Sequence, residues 1–343
     1  VPERSLSSLF VVSGPSRSAT VMVLAGMLAV TGCTMNTAPP NTTSAATGVS
    51  ASPSASPTSS ASTAAVPTVV VRDLPPVKPA RATEVVNDRS LIEYNPHGEG
   101  TPQGPTTFSV SGDDVVIDNE LPDQPVLVTY RNGRKVRTVR SPDDCCIDVR
   151  VEGDRYWTLG DYATEWVLNK DANKLTEATR ITLPPDTETS STGEDNPNPV
   201  HWDFGLLERT DTGLFAVPSD GPTIRLEGTG TFPDGPPWHN DDKTLVIEDP
   251  GFTAKIRTRA KDAEAGIMSR YGGYVYYQIT DNVGPNWGYI YQFTTTGTLV
   301  RTYTLHQGFI QTDNRTVVIA SDNQIYELVI STRTARVLHL SPN

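Results

Sequence analysis

The sequence predicts an all-β domain assembled from repeated units of four short strands, preceded by a long segment with no fold of its own. Three observations carry this. After residue 86 helical periodicity is scarce, and short alternating segments rich in Val, Ile, Thr, Tyr and Trp dominate. Those segments recur in the same order of strands and turns about every 40 residues. Before residue 86 one long stretch holds little but Ser, Thr, Ala and Pro.

In chain order, residues 1–32 read as a secretion signal. Arg4 and Arg17 precede the uncharged run ATVMVLAGMLAVTGC, which ends in small residues. At roughly 13 residues the run is short of the about 20 that a membrane-spanning helix needs. This disfavours an uncleaved anchor or a buried helix. Its end, Val30-Thr31-Gly32-Cys33, resembles the lipobox of bacterial lipoproteins. That resemblance implies cleavage before Cys33, a diacylglycerol on its sulfur, and a lipid-anchored protein on the extracytoplasmic side of the membrane.

Residues 33–85 are expected to form a disordered tether. No charged residue occurs between Arg17 and Arg72, and the apolar surface is too small to offset the entropy of ordering. With proline keeping it extended, such a tether reaches on the order of 100 Å. Its hydroxyls permit O-linked sugar.

The whole chain carries 28 basic and 40 acidic side chains, net −12. Removal of residues 1–32 takes away Glu3, Arg4 and Arg17, which leaves 26 and 39, net −13. Such a charge opposes nucleic acid and anionic membrane surfaces, and favours cationic partners.

Residues 86–343 have room for about six repeats. SVSGDDVVIDNELPDQPVLVTYRNGRKVRTVRS and SRYGGYVYYQITDNVGPNWGYIYQFTTTGTLVRTYTL each give strand, polar turn, strand, acidic corner, strand, polar turn, strand. Two copies are degenerate: ERTDTGLFAVPSDGPTIRLEG and WHNDDKTLVIEDPGFTAKIRT. In repeat length and strand pattern this part resembles the β-propeller superfamily, which implies about six four-stranded blades around an axis. No WD or kelch signature accompanies it, and a pair of β-sandwiches is the alternative.

In that superfamily the second-to-third and fourth-to-first connections share one face, usually the binding face. The second-to-third corners are expected at Asp118-Asn119-Glu120, Asp161, Asp220, Glu248-Asp249, Asp281-Asn282 and Asp322-Asn323. Acids there serve either as turn residues or as a rim for a cation. Calcium, with its six to eight oxygen ligands, is the metal such a rim would serve, with Asp161, Asp220, Asp249, Asp281 and Asp322 as candidate ligands. Two long connections are expected on the same face. One leads to His201, Trp202 and Asp203; the other, GTFPDGPPWHNDD, carries Trp238, His239 and Asp241. Trp287 joins them from a second-to-third loop. These aromatics either stack a sugar or grip a peptide, or they fill gaps between blades.

Catalytic motifs are missing: no G-x-S-x-G, no H-E-x-x-H, no phosphate loop, no C-x-x-C-H for heme. His201 with Asp241, or His239 with Asp203, is the nearest approach to a base and its orienter. The expectation is therefore a binding or scaffold module for a protein, peptide or glycan outside the membrane. A calcium-dependent hydrolase or lactonase and a sensor or assembly factor of an envelope complex are the other readings. The adjacent Cys145 and Cys146, in the connection SPDDCC, are either two thiols or a strained vicinal disulfide on the binding face.

Overall fold

In the computed structural model the described residues are 66–78, 81–92, 104–119, 126–141, 148–160, 162–184, 205–218, 222–233, 235–281, 287–306, 316–331 and 333–343. They form six antiparallel sheets of a β-propeller, one of which also carries a parallel strand. Two strands come first in the chain, β1 (Thr68–Val71) and β2 (Ala82–Asp88), and both serve sheets formed much later. The first blade is β3 (Pro105–Ser111), β4 (Asp114–Asn119), β5 (Val126–Arg131) and β6 (Arg134–Arg140). The second is β7 (Asp148–Glu152), β8 (Arg155–Leu159), β9 (Tyr162–Asn169) and β10 (Lys174–Thr182). Among the described residues the third has three strands, β11 (Leu206–Thr210), β12 (Gly213–Val217) and β13 (Ile224–Gly228). The fourth is β14 (Trp238–Asp241), β15 (Thr244–Asp249) and β16 (Phe252–Arg257), with β1 lying parallel to β16. The fifth is β17 (Glu264–Tyr271), β18 (Tyr274–Asp281), β19 (Trp287–Thr294) and β20 (Leu299–Thr304). The sixth is β21 (Val317–Ile319), β22 (Ile325–Ile330) and β23 (Ala335–Leu340), completed by β2.

The expected domain boundary at residue 86 is corrected by this pairing. Thr68–Val71 and Ala82–Asp88 are sheet strands, not tether. Their signal was weak because TVVV sits beside the Ser/Thr/Ala/Pro stretch and finds its partner, β16, far along the chain.

Local chemistry makes the hairpins. Asn132 and Gly133 both adopt positive φ, 51° and 73°, as a two-residue turn matching the strand twist requires. Gly272 and Gly273, at 62° and 76°, do the same between β17 and β18. We call the end of the ring that carries such first-to-second and third-to-fourth hairpins the lower side.

Apolar clusters join the blades in order. Val116 and Leu127 meet Tyr156; Trp157 and Leu159 meet Leu214; Ile247 and Phe252 meet Tyr277 and Tyr291. Tyr276 and Ile290 meet Ile325, and Leu328 meets Phe108 to close the ring. Among the described residues no such cluster joins the third blade to the fourth. Near the axis, polar groups stitch the innermost strands. Buried Asp148 accepts from the Thr107 hydroxyl at 2.6 Å and the Leu207 amide at 2.7 Å, which ties three blades together. The Ser269 hydroxyl donates to the Arg209 carbonyl at 3.2 Å, and the Gly272 amide to Asp211 at 2.8 Å. The third blade's innermost strand thus meets the fifth's directly.

Candidate functional site

That direct contact goes with a fourth sheet that, among the described residues, has no innermost strand. Its orientation shows this. The β15–β16 turn sits beside the β19–β20 hairpin, where a Cβ on Gly251 would fall 2.2 Å from the Thr295 carbonyl oxygen. The β14–β15 turn lies at the opposite end, where Asp242 pairs at 2.8 Å with Lys261 on the way into β17. So β14, β15 and β16 take the second, third and fourth places of a blade, and β1 adds an outermost one. The third blade correspondingly ends at its third strand. Residues 229–233 and 235–237 lie along the lower side, where the Thr229 amide donates to the Thr212 carbonyl at 3.2 Å. Phe232 from this stretch packs edge-on against Phe215, centroids 5.6 Å apart.

The omission leaves β14 as a bare inner edge. Glu248 donates its amide to the Pro237 carbonyl at 2.9 Å, so Pro237 faces β15. By antiparallel alternation His239 and Asp241 face β15 too, and Trp238 and Asn240 turn their amides and carbonyls outward. No described backbone hydrogen bond takes these groups up. Beside the edge lies a cavity of about 190 Å³, walled by Pro236, Trp238, Ile247, Ala265, Gly266 and Tyr277. Trp238 is 40 % exposed, unusual for a tryptophan. Gly266 lines this wall with its backbone; it pairs with Gln278, so a Cβ there would point to the face opposite Ala265 and Tyr277, where it meets nothing within 4 Å.

Behind the cavity stands a rigid polar anchor. The Tyr277 hydroxyl and Arg270 both donate to buried Asp249, which also accepts the Gly251 amide at 2.9 Å. Burial first, and then the bond to Asp249, push the Tyr277 hydroxyl far above the usual tyrosine range. It stays protonated and acts as a fixed donor. On the same strand as Trp238, Asn240 donates to the Ala263 carbonyl at 2.8 Å, while its Oδ1 is buried without a donor. Asp241, Glu248 and Glu264 are exposed, as is Lys243, and Asp241 and Glu248 project to the sheet face opposite Trp238 and Ile247. The arrangement offers an apolar socket beside backbone groups with no described partner. Among the described residues it holds no nucleophile with a base.

The sequence-proposed residues divide. Trp238 and His239 lie in β14, not on a fourth-to-first loop. Their side chains project to opposite faces of the strand, with Trp238 in the cavity wall. Trp238 is next to the lower side, whereas Trp287 begins β19 at the upper end, so the two do not share one face. Asp249 is on the lower side, in a third-to-fourth turn rather than a second-to-third corner. Asp322 sits in the β21–β22 first-to-second turn, where it accepts the Gln324 amide at 3.0 Å. Asp281 is at its expected corner, buried, and accepts the Arg259 and Ala260 amides at 2.9 Å and 2.6 Å. In all three, turn and linker chemistry uses the carboxylate. Among the described residues no group of three or more His, Cys, Asp or Glu is arranged to hold a metal. His201, Trp202, Asp203, Asp161, Asp220, Cys33, Cys145 and Cys146 lie outside the described residues. Sequence reading missed Ile247, Ala265 and Gly266 as cavity walls. The available signal was the pair of shortened repeats, each only about three strands long.

A second cavity, about 260 Å³, lies between the sixth and first blades, lined by Glu84, Val85, Asp113, Tyr130, Asn132 and Tyr326. It is the larger of the two. Glu84 and Val85 belong to the outermost strand β2, where Val85 sits at a bulge.

No family model matches this chain, and no curated protein does. Solved structures with a similar course include the Swd1 β-propeller domain of Myceliophteria thermophila, at 11 % identity, 77 % of this chain, 99 % of that one and a TM-score of 0.33. The WD40 repeats of RRP9 match at 10 % identity, 69 % and 80 % coverage and 0.33. Glutaminyl cyclase of Myxococcus xanthus matches at 12 %, 70 % and 91 %, and 0.32. At these scores the likenesses carry nothing about activity.

Proposed function

We propose that the protein is a lipid-anchored, extracytoplasmic binding module that receives its ligand at the bare edge of the fourth blade. The observation that carries this reading is the exposed Trp238 in the wall of a 190 Å³ cavity, on a strand whose other edge no described strand pairs. Large exposed aromatics with unsatisfied polar groups nearby are what a binding site presents and what a finished core removes. The lipobox-like signal at Cys33 and the net charge of −12 support a site held outside the membrane for uncharged or cationic ligands.

Two measurements on the full chain test this. In a bacterium that processes lipoproteins, Cys33→Ser moves the protein from the membrane fraction to the medium. Titration with a panel of short peptides and oligosaccharides changes tryptophan emission, and Trp238→Phe removes that change. A panel in which no member acts through Trp238 overturns the binding assignment.

A further inference from the structure

We infer that the 260 Å³ cavity between the sixth and first blades is a site for a small organic amine, its ammonium held at Asp113 and Tyr326 and its apolar arm on the valines beneath. The site shares no residue with the cavity at Trp238, so it is independent of the binding module proposed there.

The cavity has an apolar floor. Val110, Val115 and Tyr130 pair side by side across β3, β4 and β5, and all three are buried in the cluster shared with the sixth blade. Val85, out of register at the β2 bulge, packs against the same cluster from the other side. The Tyr130 hydroxyl is spent on Asp88 at 2.7 Å. At about 260 Å³ the space lies just under the about 300 Å³ at which small-ligand sites begin, which suits a ligand of a few carbons.

The mouth is polar and negative. Two lower-side turns line it, Gly112-Asp113 and Asn132-Gly133, together with Tyr326. The Tyr326 ring is fixed by stacking on His339, centroids 5.0 Å apart. Neither its hydroxyl nor the Asp113 carboxylate has a described hydrogen-bond partner. Burial first, and then the Asp322 and Asp113 carboxylates, raise the Tyr326 hydroxyl above the usual tyrosine range. Both carboxylates are therefore within electrostatic reach of that hydroxyl, which stays protonated at neutral pH. The cations of the neighbouring strands act elsewhere. Arg131 grips Asp114 through two nitrogens at 2.6 Å and 2.7 Å, and Lys135 acts on Asp88. Glu84 adds nothing to the mouth, because it accepts from Asn87 at 2.9 Å and lies 3.9 Å from Arg336. A ligand ammonium meets a carboxylate at Asp113 and a phenolic oxygen at Tyr326, with Asp322 adding to the field. The same groups repel an anion.

The walls come from β2, from the first blade and from β22, so the site exists only once β2 has paired with β23. A ligand there binds the sealed ring and not the open one, and so stabilises the seal.

The test uses the full chain. The probes are n-butylamine, n-butanol and butyrate at millimolar concentration, and Nα-acetyl-lysine N-methylamide, which carries the same butylammonium on a backbone. At about ten times its Kd, n-butylamine is expected to raise Tm and to slow hydrogen exchange across the β2–β23 pairing about tenfold. Butanol and butyrate are expected to bind about tenfold more weakly or worse. Asp113→Asn and Tyr326→Phe keep the turn and the stacked ring, and each is expected to weaken the amine about fivefold or more. Trp238→Phe is expected to leave it unchanged. Blocked lysine that binds more tightly than butylamine makes a protein side chain the source of the ammonium; blocked lysine that binds more weakly makes it a free amine. Equal binding of butanol or butyrate overturns the amine assignment. So does amine binding that survives either substitution at the mouth. Amine binding that leaves exchange across β2–β23 unchanged, as loose attraction to an acidic chain would, overturns the placement in this cavity. If neither amine binds, the site is refuted outright.

Discussion

Gly266→Val changes stability without touching the cavity beside Trp238. Gly266 sits inside β17, paired with Gln278 of β18, with backbone outside the left-handed region. A Cβ there meets nothing within 4 Å, so the substitution introduces no clash at its first atom. Glycine inside a strand costs about 0.5–1 kcal/mol relative to alanine, through the freedom it retains when unfolded. Valine adds a β-branched side chain that suits a pleated surface. The expected gain is about 0.5–1 kcal/mol. At about 2–4 °C per kcal/mol for a domain of this size, Tm rises by about 1–4 °C in a calorimetric scan. Ligand binding beside Trp238 is unchanged in the same protein, because the valine lies on the Gln278 face of β17, away from Ala265 and Tyr277. A lowered Tm would refute the open space at Gly266. A raised Tm with weakened ligand binding would refute the separation of the two faces.

Other perturbations follow from the buried polar contacts. Burial alone would raise the Asp88 carboxyl, but hydrogen bonds from Tyr130 and Ser90 outweigh it and hold it below 3.8. Its contribution to stability is therefore present above 3.8 and is lost as pH falls through the folded value. Tyr130→Phe is expected to cost about 1 kcal/mol at neutral pH, with a difference from wild type in urea titrations that shrinks at acid pH. Asp249→Asn leaves Arg270 without its carboxylate in a mostly buried site and costs about 3 kcal/mol, which a scan reads as a Tm lower by about 6–12 °C. Val71→Asp places a charge in the cluster shared by the fourth and fifth blades. It is expected to detach β1 and to make the β16 edge reactive toward aggregation, seen by light scattering on mild heating.

The propeller was legible because strand alternation and turn residues are local. GDD, RNG and YGG each fall where a hairpin forms, and YVYYQIT becomes β18 with Val275, Tyr277 and Ile279 on one buried face. The two weak copies were legible as weak: they are the third and fourth sheets, each with three described strands of its own, a shortfall that the sixth sheet shares and makes up with β2. What periodicity does not carry is which place a strand holds in its blade. WHND, TLVIED and FTAKIR alternate as any three strands would, and only their neighbours show that the first of them stands second. Hence Asp249 was assigned to the wrong end of its blade, and Trp238 to a loop. The same blindness hid β1 and β2, whose partners lie at residues 253–256 and 335–340.

The pairing of β2 with β23 also sets an order in time. Ala82 opposes Leu340, so the ring is sealed by contacts 258 residues apart, whereas a hairpin-built blade closes within about 40. The added loop entropy, (3/2)RT times the logarithm of that ratio, is about 1.6 kcal/mol, or about a fifteenfold slower encounter. During synthesis or export, β2 emerges early and waits with its apolar residues uncovered until the last strand arrives. A chain halted before residue 335 therefore has five blades able to form and a ring held open, with Val86 and Phe108 facing solvent. Sealing is therefore expected to be the slow, last event of folding.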